Sequence, residues 1–176
     1  MMQIRQAIRH FILAALAIFL CVTAAQAQTT GRQIVVPISL SGPRVGATVL
    51  SSGIVDTLGD NGLHVGSVVS QFGWQFEKRF KTGAHGLTAV NEWVLLAGGA
   101  EQGVLLPSVS WLVGMRTASG MEFGVGPNLT PVGVALAFAG GVTYSKGALN
   151  VPINVAVVPS KAGMRVSVLT GFNMRN

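Results

Sequence analysis

The sequence predicts an all-β chain: an up-and-down antiparallel β-barrel of about eight strands with a lipid-facing exterior, preceded by a cleaved signal peptide. Three observations lead there. The first is a two-residue alternation in the second half of the chain. Val132, Val134, Leu136, Phe138, Val142 and Tyr144 fall on one parity, and Gly133, Ala135, Ala137, Ala139, Gly141, Thr143 and Ser145 on the other. Successive side chains of a strand point to opposite faces, so this segment has one bulky apolar face and one small, weakly polar face. The second observation is an N-terminus that reads as an export signal. The third is a scarcity of charge. Only 10% of residues are charged, against about 25% in soluble domains, too few to cover a water-facing surface of this size.

Residues 1–27 carry the signal. Arg5 and Arg9 form its basic start, residues 11–22 its apolar run, and Ala25-Gln26-Ala27 a small-x-small cleavage site before Gln28. The apolar run is short of the roughly 20 residues that span a bilayer as a helix. The single cysteine, Cys21, leaves with the signal, so the mature chain has no disulfide, thiol nucleophile or cysteine metal site. Removing Arg5 and Arg9 leaves ten basic against six acidic residues, a net charge of +4. The basic residues neither cluster nor interleave with aromatics, which argues against nucleic acid as a partner.

Residues 28–43 read as an N-terminal arm or a short extra strand over 34–40, where Pro37 disfavours a central strand. The barrel domain is expected over 44–176. The first strand, 44–50, sets Val45, Ala47 and Val49 against Arg44, Gly46 and Thr48. A long loop, 51–64, follows, with Asp56, Asp60, Asn61 and three glycines, and no stretch after the signal shows helical periodicity. The second strand, 65–80, opposes Val68, Phe72, Trp74, Phe76 and Phe80 to Gln71, Gly73, Gln75, Glu77 and Arg79. The third, 87–97, is mixed, because Val90, Glu92, Val94 and Leu96 share one parity. The fourth, 104–116, sets Val109, Trp111, Val113 and Met115 against Ser108, Ser110, Gly114 and Arg116. The fifth, 121–129, sets Met121, Phe123, Val125 and Leu129 against Glu122, Gly124, Gly126 and Asn128. The sixth is the alternating segment above. In the seventh, Val151, Ile153, Val155 and Val157 oppose Asn150, Asn154 and Ala156. In the eighth, Met164, Val166, Val168 and Phe172 oppose Arg165, Ser167, Gly171 and Asn173. Turn signals separate these runs, and eight strands of about ten residues suit an up-and-down barrel.

Two assignments of the faces compete. A soluble periplasmic barrel that binds an apolar ligand turns the bulky face inward. A membrane barrel turns it outward to lipid. The other face is Gly, Ala, Ser, Gln and Asn with hardly any lysine. It makes a bare water-facing surface but suits the interior of a narrow barrel. The pattern, over nearly the whole mature chain, resembles the small eight-stranded outer-membrane barrels of Gram-negative bacteria. The stretches Glu122-Phe123-Gly124-Val125-Gly126-Pro127-Asn128 and Val155-Ala156-Val157-Val158-Pro159-Ser160 also resemble a group of uncharacterised exported bacterial proteins. The barrel resemblance implies an outer-membrane location, with membrane lipid and the barrel-assembly machinery as partners. It also implies a final strand ending on an aromatic residue that this machinery reads, whereas here Phe172 is followed by Asn173-Met174-Arg175-Asn176.

On this reading the inward face collects Arg44, Glu77, Arg79, Glu92, Arg116, Glu122 and Arg165. Charges taken out of water must be paired, so these seven are expected to form an ion-pair network that plugs the lumen. The alternative is a polar conduit or small-solute site. A barrel enzyme acting on lipid would need a nucleophile oriented by a base. Only His64 and His85 survive signal removal, and neither is placed two residues from a serine. The loop acids Asp56 and Asp60 do not have calcium-loop spacing, and Gly124-Val125-Gly126 has no following helix to make a nucleotide site. No catalytic residue, metal or cofactor is expected. The expected role is structural, or that of a narrow pore. Both termini are expected on the periplasmic side and the 51–64 loop outside the cell.

Overall fold

A computed structural model describes residues 37–81, 87–147 and 149–175. The signal segment, the arm up to residue 36 and the turn 82–86 with His85 lie outside the described residues. The elements run β1 (Ile38–Leu50), α1 (Ser52–Asp60), β2 (Val68–Lys81), β3 (Thr88–Gly98), a single 3-10 turn (Ala100–Gln102), β4 (Leu106–Arg116), β5 (Met121–Thr130), β6 (Gly133–Lys146), β7 (Leu149–Ser160), β8 (Gly163–Gly171) and β9 (Met174–Arg175). Each strand from β1 to β8 pairs antiparallel with the next, and β8 returns to β1. The result is a closed, eight-stranded, up-and-down barrel with no free edge. β1 begins at Ile38, so residues 38–43 of the expected arm are barrel wall.

The even strand count puts the start of β1 and the short β9 at one end, called here the terminal end. The 51–67 and 99–105 connections and the β5–β6 and β7–β8 turns lie at the other. β9 continues the last strand past Phe172. It pairs with β1 through Leu40–Arg175 and Ser41–Met174, and Asn173 bridges to Asn150 of β7. The four residues after Phe172 are therefore partly wall rather than a loose tail.

The segment expected as a loop over 51–64 contains a helix. Ser51 holds an extended backbone at the N-cap, and Ile54 and Leu58, four apart, are buried. The helix ends where Gly62 adopts φ 78°. There Leu63 N–H donates to Leu58 O at 2.8 Å and Gly62 N–H to Gly59 O at 2.9 Å, and Leu63 packs beside Leu58. This is the left-handed closure that glycine makes easy. Two glycines and nine residues hide such a helix from periodicity, and so short a helix forms in water only when packing supports it. Here the barrel mouth supplies that packing.

The faces of the wall divide cleanly. Trp74, Trp111, Phe123, Leu129 and Val134 point outward and are exposed, as are Val45, Phe138 and Tyr144. Trp93 and Trp111 stack on this outer face, ring centroids 6.1 Å apart. The Trp111 indole N–H donates to Asn91 Oδ1 at 2.8 Å, which satisfies both groups without water. β3 resolves its mixed pattern by being apolar on both faces: Trp93 and Leu95 are exposed, while Val90 and Val94 are buried inside. Val94, Leu112, Ala137 and Val158 form a small core across the lumen. Inward glycines let the wall curl tightly. A Cβ on Gly46 would stand 2.0 Å from Val168 O, and one on Gly73 1.9 Å from Leu95 O, so only glycine fits at either position.

Candidate functional site

The lumen is the only enclosed polar environment that the wall builds among the described residues, and its contents change along the barrel axis. At the mouth beneath α1 it is apolar. Leu50, Ile54, Leu58, Val69 and Leu106 form one buried cluster, with Val104, Val132 and Ala162 packed against it. Each buried aliphatic side chain contributes about 1.5–3 kcal/mol, so α1 is held on the mouth by ordinary hydrophobic burial.

Toward the terminal end the lumen is charged. The alternation of β2, β4 and β5 brings Glu77, Arg116 and Glu122 together. Arg116 Nη1 lies 2.8 Å from Glu77 Oε1. Its Nε donates to Glu122 Oε2 at 2.7 Å, and its Nη2 donates to the same oxygen. Arg79 Nε donates to Glu77 Oε1 from two residues along β2. The other Glu122 oxygen accepts from Thr143 Oγ1 at 3.2 Å and, with the Asn154 amide turned so that its nitrogen faces the carboxylate, from Asn154 at 2.8 Å. Four charged groups thus form one connected, nearly dry cluster.

Arg44 and Arg165 are buried but bond to neutral groups. Arg44 Nε donates to Gln75 Oε1 at 2.8 Å, Nη2 to Asn173 Oδ1 at 2.7 Å, and Nη1 to Pro43 O at 2.8 Å and Phe172 O at 3.3 Å. Arg165 Nη2 donates to Asn128 Oδ1 at 3.0 Å and Nη1 to Thr130 Oγ1. Asn128 in turn donates to Ser108 and Ser110. Glu92 faces the lumen directly opposite Glu77 in the register. Its carboxylate makes no hydrogen bond or ion pair among the described residues.

Sequence reasoning missed the amides that complete these contacts. Asn173 is fully buried. Its Nδ2 donates to Glu77 Oε2 at 3.0 Å while its Oδ1 accepts from Arg44. The residue just past Phe172 therefore joins a cation of β1 to a carboxylate of β2. The parity of the eighth strand, which puts Asn173 on the inward set, was the available signal. Gln75, Asn128 and Asn154 sit on inward parities as well.

The other candidates are not assembled into sites. Asp56 and Asp60 lie on α1, and Asn61 at its end donates back to Thr57 O at 2.8 Å. Among the described residues no group of three or more His, Cys, Asp and Glu side chains is placed to hold a metal ion. His64 is exposed beyond α1 and makes no hydrogen bond among the described residues. Gly124-Val125-Gly126 is the middle of β5. Outside the barrel wall, Glu101 accepts from Ser70 N–H at 2.9 Å and from the Ser70 hydroxyl. These two bonds hold its carboxyl down to about 2.

No protein-family model and no curated protein matches the chain. Solved structures do. One is Ail, the attachment invasion locus protein of Yersinia pestis, with a TM-score of 0.53 at 11% identity over 80% of this chain and 98% of that one. Another is the same protein in complex with the heparin analogue sucrose octasulfate, with a TM-score of 0.52 at 9% identity over the same shares. At such identity the likeness concerns the backbone. With its closed antiparallel sheet and exposed apolar wall, the chain has the fold of the small eight-stranded outer-membrane barrels.

Proposed function

We propose that the chain resides in the outer membrane as a closed barrel with a structural role, without catalysis and without an open pore. The observation that carries this reading is the inversion of burial. Trp111, Phe123 and Val134 stand exposed all around the wall, while Arg44 and Glu77 are 1% exposed inside it. Apolar side chains covering a whole cylinder far exceed the few hundred Å² of exposed patch that soluble monomers tolerate. In lipid the same surface is satisfied, and the closed sheet presents no free edge to it. Closure at both ends supports the absence of a pore: α1 seats Ile54 and Leu58 in one mouth, and the Glu77–Arg116–Glu122 cluster fills the lumen toward the other.

In this reading the terminal end faces the periplasm and α1 the exterior. Membrane lipid is the principal partner, and the barrel-assembly machinery receives the final strand through Phe172 with Asn173 and β9 beyond it. Membrane fractionation of the expressed chain, followed by unboiled and boiled gel electrophoresis, tests the location. Recovery with the outer membrane and a heat-modifiable band are expected. A chain that stays in the soluble periplasmic extract and runs identically either way would overturn the reading in favour of a soluble carrier. Purified barrel in a planar bilayer is expected to show no stepwise conductance, and stable openings would overturn the closed-lumen part alone.

A further inference from the structure

One row of the outer wall, close to the terminal end, is polar. On the outward parity of β1, β2 and β3, Ser39 pairs with Lys78 and Lys78 with Asn91, one polar residue on each of three adjacent strands. The next outward row toward α1 is aromatic, Phe76 beside Trp93 beside Trp111. An open groove of about 350 Å³ runs between the rows, bordered by Ser39, Phe76, Lys78, Asn91 and Trp93. Leu40 and Glu77 back it, and both are buried. Side chains directly opposite across two strands stand about 5 Å apart at Cβ, so Lys78 and Asn91 can reach one small group together.

Both offer that group hydrogen-bond donors. The exposed Lys78 ammonium has no hydrogen bond or ion pair among the described residues. Asn91 spends its Oδ1 on the Trp111 indole, which leaves its Nδ2 as a donor. No carboxylate competes for them. Of the chain's six acidic residues, Asp56, Asp60 and Glu101 lie at the α1 end, and Glu77, Glu92 and Glu122 are on the inward parity of the wall. The guest is therefore an anion. A bare inorganic anion would leave the aromatic row without a role, and a zwitterionic headgroup would bring an ammonium that meets no acidic residue at this end. Aromatic rings flanking a basic residue mark the headgroup level of a membrane, where the lysine stem lies along apolar surface and its head reaches the phosphates. We propose that the groove is a binding site for an anionic phospholipid, its phosphate held by Lys78 and Asn91 and its glycerol and upper acyl carbons against Phe76 and Trp93.

This inference rests on the reading that the wall faces lipid. The probe is dihexanoylphosphatidylglycerol, added to the folded full chain in micelles of an uncharged sugar detergent, with dihexanoylphosphatidylcholine and sodium phosphate as controls. The phosphatidylglycerol is expected to shift the Asn91 side-chain amide and Trp111 indole resonances saturably, and the two controls to do so much more weakly. Equal binding of phosphatidylcholine, or of free phosphate, overturns the proposal. In Lys78→Gln the affinity is expected to fall about fivefold or more, the contribution of one lysine toward anionic lipid. Lys146→Gln, at the same end on β6, is expected to change nothing. An unchanged affinity in Lys78→Gln, or an equal loss in both variants, overturns the site in favour of general surface charge. Should Lys78→Gln lose the heat-modifiable band, the wild-type protein decides: nuclear Overhauser contacts from the lipid glycerol protons to the Trp93 ring are expected, and their absence at saturating probe overturns it. A chain recovered with the outer membrane that binds no phosphatidylglycerol sinks this inference alone, whereas a chain in the soluble extract sinks the lipid-facing reading beneath it.

Discussion

Beneath α1 the lumen is filled by Leu50, Ile54, Leu58, Val69 and Leu106. Further along the same strands it is filled by Arg44, Glu77, Arg116 and Glu122. The two fillings occupy similar space by different physics. The apolar one gains from every methyl removed from water, and its parts contribute independently. The charged one starts from a large desolvation cost that is offset only when each donor and acceptor is matched. The apolar mouth therefore tolerates approximate packing, whereas the charged end works as a unit. It also ties several strands to one another. Asn173 joins β1 to β2 through Arg44 and Glu77, and Arg116 joins β2 to β5. A one-residue slip of any of these strands would turn its charges out into the apolar face, so the charged end holds the register of the wall.

The largest effect is expected from breaking the unit. Glu77→Ala leaves Arg79, Arg116 and Asn173 without their shared acceptor and is expected to cost about 3–5 kcal/mol, read as the urea midpoint at which the folded gel band disappears. A loss under about 1 kcal/mol, the range of a surface ion pair, would show the cluster to be solvated. Ile54→Ala at the apolar mouth is expected to cost about 2–3 kcal/mol, the lower part of the range for such truncations, because α1 can settle into the space. A loss equal to that of Glu77→Ala would erase the contrast between the ends.

Asn173→Ala removes the link between Arg44 and Glu77 and is expected to cost about 1–2 kcal/mol. In a double-mutant cycle with Glu77→Ala it should add little, since the two act through one network. Full additivity would show that Asn173 serves only its own strand. The smallest effect lies outside the wall. Ser70 holds Glu101 down to about 2 from its ordinary 4.5. A depressed carboxyl contributes above its unfolded value and loses that contribution as pH falls through the folded one. Protection of the Ser70 amide should therefore persist at pH 4.5 and fade toward pH 2. Glu101→Gln should abolish that acid step while leaving the barrel folded, since an exposed, screened group holds only its own loop.

Much of the wall was legible from alternation alone, because a strand's side-chain period is two whatever surrounds it. The strands around Trp74, Trp111 and Phe138 and their outward faces follow from parity, and so do the inward positions of Arg44, Glu77, Arg116, Glu122 and Arg165. Strand β3 was harder to read. Both of its faces are apolar, and only the closed barrel distinguishes the lumen, where Val90, Val94 and Glu92 lie, from the outside, where Trp93 and Leu95 lie. The helix α1 was not legible, because nine residues with two glycines become a helix only where the mouth buries Ile54 and Leu58. Nor could parity say which inward charges meet. That Arg116 stands between two carboxylates, that Arg44 binds amides, and that Glu92 binds nothing among the described residues all depend on shear and closure. These are relations between strands far apart in the chain, and a local pattern carries no record of them.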